Sequence, residues 1–127
     1  MVGFIWTIQL LVYPLMAQVP ADGFVAFERF HQRRVVVVLS LFAFVEVVSA
    51  AALVFVDVDR SLWLGGGVIL VALWVSTGAF YAPLHGRLAT GFDSRSHSLL
   101  VRTNWLRTIG WTVRGVLAAM VVVRAAT

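Results

Sequence analysis

Three observations predict an all-α integral membrane protein built as a four-helix bundle. The 127 residues are 61% hydrophobic and only 13% charged, with a mean hydropathy of +0.92, whereas a soluble domain carries about 25% charged residues. The apolar residues gather into four runs, each near the roughly 20 residues that cross a hydrocarbon core about 30 Å thick. The ten basic residues, all arginine, lie mostly between those runs and chiefly on one side. Residues 1–127 therefore form one transmembrane domain, with no internal repeat and no low-complexity tract. The absence of cysteine removes disulfide scaffolds, thiolate catalysis and Cys-ligated metals. The pI near 11.1 comes from arginines that flank or enter apolar runs, so the expected partner is the lipid bilayer and not nucleic acid.

The first run, residues 2–19, is interrupted by Gln9 and Pro14. It lacks the basic flank and uniform apolar core of a cleaved signal, so it reads as a retained span. Residues 21–34 carry Phe24, Phe27 and Phe30 beside Glu28, Arg29 and Arg33, with Asp22 available as a cap. They read as an interfacial amphipathic helix or as an extension of the next span. The second span, 35–56, opens with four valines and holds one charge, Glu46. Valine favours strands in water, but in lipid a run of this length must satisfy its own backbone hydrogen bonds, and helix prevails. The third span, 62–84, begins near Gly65, Gly66 and Gly67. The fourth, 99–123, contains Arg102, Asn104, Arg107 and Arg114.

Four spans put both termini on the side of the short connection 57–61. That side has Arg60 and Arg124, and the other has Arg29, Arg33, Arg34, Arg87, Arg95 and Arg102. The positive-inside rule makes the arginine-rich side cytoplasmic and both termini non-cytoplasmic; in a bacterium this is the inner membrane.

Charge inside a membrane is costly and marks candidate function. At about 1.5 Å per residue from the cytoplasmic edge, Gln9 and Glu46 lie at about 15–16 Å, Ser76, Thr77 and Arg107 at about 10–12 Å, and Arg114 at about 22 Å. Every span thus contributes a polar group near the midplane, and one shared cluster is the simplest expectation. Asn104, Arg107, Trp111 and Arg114 fall on one helical face. Gly110, Gly115, Ala118 and Ala119 allow close helix approach. Glu46, flanked on its face by Ala43 and Ala50, has room for Arg107 or Arg114, either of which can grip a carboxylate with two hydrogen bonds. One glutamate does not neutralise two arginines. The excess charge is met either by an anionic or carbonyl-bearing ligand or by structural solvation from Gln9, Tyr13, Asn104 and backbone carbonyls.

A shallower tier of Ser40, Tyr13, Tyr81 and Asn104, with His31 and His85 at the rim, completes a funnel with Glu46 near its floor. The expected ligand-binding set is Gln9, Tyr13, Glu46, Tyr81, Asn104, Arg107, Trp111 and Arg114, and any catalytic role would fall to Glu46 or Arg107. His31, His85 and His97 map to the cytoplasmic edge, about 16 Å from Glu46, which does not suit a shared metal site. Haem held by rim histidines would sit too shallow, so no metal or haem is expected, and no other cofactor is specified.

The run Tyr81-Ala82-Pro83-Leu84-His85-Gly86-Arg87-Leu88, then Gly91-Phe92, and Asn104-Trp105-Leu106-Arg107-Thr108 resembles a family of small bacterial four-helix membrane proteins of unknown function. Trp6, Gln9, Pro14, Phe27 and His31 match that family's pattern as well, so the likeness covers nearly the whole chain. Val12 departs from it, standing where the family has a histidine. The Pro-Leu-His and Asn-x-x-Arg pieces are also similar to anthrone-oxygenase-like membrane proteins, some of which are implicated in oxidising aromatic polyketides.

Three functions are compatible with these residues. The first is a membrane pocket that binds, or transforms, a lipophilic oxygen-bearing molecule, with an arginine on the oxygen. The second is a non-catalytic accessory subunit of a larger membrane complex. The third is a small transporter, disfavoured by the lack of repeated halves.

Overall fold

The structure, a computed structural model, describes residues 1–56 and 59–126. Asp57, assigned above to the 57–61 connection, lies outside the described residues. Four helices account for the architecture: α1 (Val2–Met16), α2 (Ala21–Phe55), α3 (Arg60–Leu88) and α4 (Ser94–Ala126). No strand occurs among the described residues. Helices α2, α3 and α4 are long and apolar enough to cross a membrane. Helix α1 is shorter, about 22 Å at 1.5 Å per residue, and falls short of a 30 Å core. The expected span 2–19 is thus corrected at its end. The chain turns after Met16 through Gln18 N–H to Leu15 O and Val19 N–H to Met16 O, and Pro20 enters α2 from an extended conformation.

Residues 21–34 are not a separate interfacial element. They are the first turns of α2, which continues to Phe55 and is about 50 Å long. Asp22 sits inside the first turn and does not cap it; no side chain does. Its charge there still suits the positive end of the helix dipole.

Each helix runs antiparallel to the next. Trp6 on α1 donates to Thr112 on α4 (3.1 Å), and Tyr13 O receives His97 Nε2 (2.8 Å). Tyr81 on α3 donates to Thr103 O on α4 (2.9 Å), while Asp59, before α3, pairs with Arg124. Trp63 on α3 donates to Ala50 O on α2 (3.0 Å). Both chain ends and Asp59 therefore share one end of an up-down-up-down bundle. The 17–20 and 89–93 connections share the other.

Two caps fix helix starts. Asp59 accepts from Ser61 N (3.0 Å) and Leu62 N (3.3 Å), and the Ser61 hydroxyl bond is the main reason its carboxyl lies below the ordinary carboxylate range. Asp93 accepts from Ser96 N (2.9 Å) and Arg95 N (3.3 Å) at the start of α4, and Ser96 likewise lowers its carboxyl. Both caps supply acceptors for amides with no intrahelical partner.

The expected close approach on α4 is present at two glycines. A Cβ on Gly110 would lie 2.9 Å from Leu73 Cδ2, and one on Gly115 would lie 2.7 Å from Val2 Cγ2. Packing on α4 produces two apolar clusters. One, toward the chain ends, holds Ile5, Leu70, Leu73 and Trp111. The other, toward the far connections, gathers Tyr13, Phe24, Tyr81, Leu84, Leu88 and Leu100. Helix α2 leaves Val37, Leu41, Phe44 and Val48 exposed, an apolar outer surface on a helix long enough to cross a membrane.

Candidate functional site

Two wide turns shape the site. Residues Ile8–Val12 and Thr77–Tyr81 are π-helical, and in each case the amide closing the wide turn belongs to the residue just before a proline: Tyr13 N–H bonds Ile8 O, and Ala82 N–H bonds Thr77 O. Pro14 and Pro83 lack an N–H, and their rings would strike the carbonyl four residues back. One extra residue in the turn relieves both problems. It also rotates the remainder of the helix by roughly 100° relative to an unbroken α-helix. Tyr13 and Tyr81, at these two turns, both face one cavity.

That cavity has a volume of about 130 Å³ and is lined by Tyr13, His31, Gln32, Tyr81, His85 and Arg107 on its polar side. Phe4, Ile8, Val36 and Leu39 form its apolar side. Val36 is 59% exposed, so the cavity reaches the apolar flank of the bundle between α1 and α2. A cavity of about 150 Å³ holds benzene, which places this one at the scale of a single ring.

On one side stands Arg107, only 6% exposed. It donates to Asn104 Oδ1 (3.1 Å) and lies 4.4 Å over the Tyr81 ring. It lines the cavity together with Tyr13, while its Nε has no partner. Asn104 in turn donates to Gln9 Oε1 (2.8 Å), and Gln9 donates to Val101 O (3.3 Å). All the partners of Arg107 are neutral. Among the described residues it makes no ion pair.

Behind His85, which lines the cavity, stands a carboxyl group that is not part of the expected site. Glu28 is 0% exposed. Its Oε1 lies 2.7 Å from His85 Nδ1 and accepts from Gln32 Nε2 (3.0 Å), while Oε2 has no partner. His85 Nε2 is 3.2 Å from the Tyr13 hydroxyl. Gln32 also donates to His85 O (2.8 Å), and the His31 ring centroid is 5.7 Å from that of His85. A connected series runs from Glu28 through His85 to Tyr13, and Arg107 lines the same cavity as Tyr13.

The structure divides what was expected to be one cluster. Gln9, Tyr13, Tyr81, Asn104 and Arg107 come together, with the rim histidines His31 and His85 beside them. Glu46 does not join them: it pairs with Arg114 at 2.7 Å, two turns along α4 from Arg107. Arg114 lines a second cavity of about 240 Å³ with Trp63, Gly66, Gly67 and Ala118. Trp111 separates the tiers, buried against Trp74 in an edge-to-face contact at 5.9 Å. Glu46 is therefore not the floor of a funnel. Ser40 is exposed and bonds back to Val36 O (2.8 Å). Ser76 and Thr77 spend their hydroxyls on Leu73 O. Among the described residues no group of three His, Cys, Asp or Glu side chains is arranged to hold a metal ion.

The signal for Glu28 was present in the sequence. Phe24, Glu28, Val35 and Leu39 recur at helical spacing, so Glu28 lies on the inward stripe of a continuous α2. Of the two readings of 21–34, the extension of the next span is the one that places this stripe inward. His97, expected only at the cytoplasmic edge, has a specific partner. It satisfies the Tyr13 carbonyl, left open by the end of α1.

Comparison with protein-family models, with curated proteins and with solved structures finds no match for this chain.

Proposed function

We propose that this is an integral membrane protein of a bacterial inner membrane, with both termini outside, and that the Tyr13–Arg107 cavity binds a lipophilic molecule by a carbonyl or hydroxyl oxygen. The observation that carries this reading is Arg107: a guanidinium almost wholly removed from solvent, lining a cavity, and paired with no carboxylate among the described residues. Burying a charge is costly unless something offsets it. Asn104 and the face of Tyr81 lower that cost without neutralising the charge. A ligand oxygen bearing negative charge or a strong dipole supplies the missing interaction, and it acts strongly because the surroundings are apolar. The opening at Val36 admits such a molecule from the acyl phase. The Pro83, His85, Asn104 and Arg107 positions that carry the family likeness line this cavity or support it.

Protein in phosphatidylcholine nanodiscs tests the proposal with two single-ring probes that differ by one group. Ligand-detected saturation-transfer NMR is expected to show p-cresol bound in preference to p-xylene. Arg107→Met is expected to erase that preference, with Arg107→Lys retaining part of it. Equal binding of both probes to the wild-type protein would overturn the proposal.

A further inference from the structure

Arg107 lines the cavity, Glu28 stands behind it against His85, and the two do not meet: two proton-carrying side chains, His85 and Tyr13, lie between them. Glu28 touches His85, His85 touches Tyr13, and Tyr13 and Arg107 line the same cavity. The donor directions are consistent along the series. Guanidinium only donates, so Arg107 acts as a donor toward any oxygen in the cavity. Tyr13 O–H can then donate to His85 Nε2, and His85 Nδ1–H to the Glu28 carboxylate. Both cavity-facing ends of the series, Tyr13 and Arg107, are positioned to touch the same ligand oxygen.

We propose that Glu28, His85 and Tyr13 form a proton relay that ionises a weak O–H acid of the phenol or enol class held beside Arg107. The inference rests on the oxygen-binding reading above and names its substrate class. In the step, the ligand O–H bond breaks and its proton goes to the Tyr13 oxygen. The former Tyr13 proton passes to His85 Nε2, forming a new N–H bond. No electrons change hands and no co-reactant is needed. The step starts from the state with His85 Nε2 unprotonated, in which Glu28 faces a neutral imidazole and Arg107 faces neutral groups. After transfer, Glu28 faces an imidazolium and Arg107 faces an oxyanion. Both buried charges gain a partner in one movement, and opposite charges within about 4–6 Å favour ionised forms by one to three pKa units. The arrangement is thus complementary to the ionised ligand more than to the neutral one, which is the condition for accelerating its chemistry. Tyr13 contacts the reacting oxygen; His85 is the proton store, and Glu28 is a positioning residue that acts through it. The other groups facing His85 are His31 and Gln32 from α2 and Tyr81 from α3.

The test uses 4-nitrophenol, whose phenolate absorbs far from protein, with protein in phosphatidylcholine nanodiscs and empty nanodiscs as the blank. Equilibrium dialysis measures the total bound probe and the visible spectrum measures its ionised fraction, both below the probe's aqueous pKa. Transfer within the site keeps the proton in the protein, so the ionised fraction of the bound probe is expected to stay level over about one pH unit or more. Loss of the proton to buffer instead raises the phenolate-to-phenol ratio about tenfold per unit. His85→Gln is expected to convert the level profile into the tenfold one while the probe remains bound. Glu28→Gln, which keeps an acceptor for His85 and so preserves the fold, is expected to lower the ionised fraction at least about tenfold. A wild-type profile that already rises tenfold per unit overturns the relay and leaves the binding site standing. No bound probe at all overturns the relay together with the binding reading beneath it.

Discussion

Glu28 and His85 are expected to be energetically coupled well beyond an ordinary hydrogen bond in a helical membrane protein, and a double-mutant cycle measures it. The variants are Glu28→Ala, His85→Ala and the pair. The 2.7 Å contact joins a wholly buried carboxylate to an imidazole N–H, and hydrogen bonds to charged groups contribute about 1.5–3 kcal/mol net. Removing Glu28 also strands His85 Nδ1, which is partly buried, at a cost toward the lower part of about 1–3 kcal/mol. Two effects work the other way. Gln32 keeps a partner in His85 O, and Oε2 of Glu28 was itself unpaired, so its loss recovers part of the cost. The single change should therefore destabilise by about 2–3 kcal/mol, with a coupling of about 2 kcal/mol. Hydrogen bonds measured by such cycles in a helical membrane protein average about 0.6 kcal/mol, so the two expectations are separable. The assay is reversible unfolding in mixed micelles of increasing sodium dodecyl sulfate, followed by far-ultraviolet circular dichroism. A coupling below about 0.5 kcal/mol would refute the reasoning, because it would mean that the carboxylate is solvated in the folded protein.

Two further outcomes are expected from the local structure. Pro83→Ala restores an N–H and removes the ring that forces the wide turn, so Thr77–Tyr81 should relax toward α-helix; stability by the same micelle assay should hold or rise, and p-cresol binding should weaken at least about tenfold as Tyr81 and His85 rotate out of register. Asp93 caps α4 with a carboxyl held below its ordinary value near 3.8, so the stability it adds is complete above that value and is lost as pH falls through the lower folded one; Asp93→Asn, an equally good cap that does not titrate, should lose less stability than wild type between about pH 5 and pH 3 in circular-dichroism melts.

Much of the bundle was legible because bilayer physics leaves few choices. Four apolar runs approach the length of a span, for which helix is the sole backbone solution in lipid, and three of them form helices long enough to cross a membrane. Arg107, Asn104 and Gln9 were identifiable because polar groups inside apolar runs need partners, and they have found one another. Two features resisted sequence reading. Depth along a helix is readable from residue count, but azimuth is not, and azimuth sent Glu46 to Arg114 and away from Arg107. Helix ends were harder still. Composition changes gradually from Phe24 to Val35, so nothing in the residues marks where lipid headgroup gives way to bundle interior. Glu28 lies in that stretch, where an interfacial helix and an extension of the span fit the residues equally, and packing of the stripe it shares with Phe24 and Val35 decides between them. The π-turns have a sequence cause in Pro14 and Pro83, but a proline predicts only that the helical bonding must change, and tertiary packing selects how.

The separation of Glu28 from Arg107 bears on whether the polar layer is a strut or a site. A bundle that needed only to hide two charges would gain most by placing them in contact, since one well-formed pair satisfies both desolvation costs. That solution is present one tier away, where Glu46 and Arg114 meet at 2.7 Å. In the tier with the ring-sized cavity, the same two residue types are held apart by His85 and Tyr13, two of the side chains best able to carry a proton, and the guanidinium is turned toward open space. Two wide turns, each tied to a proline, aim Tyr13 and Tyr81 into that space, although a regular helix would have been the simpler scaffold. Keeping Glu28 and Arg107 apart, and bending two helices around the cavity, is unfavourable for the empty bundle and is offset when something in the cavity bridges them. On the proposed reading the Glu46–Arg114 pair serves packing, and Glu28, His85, Tyr13 and Arg107 serve chemistry. Glu46→Gln is accordingly expected to leave the 4-nitrophenol profile of the wild-type protein level, and a tenfold-per-unit profile in that variant would reverse the assignment.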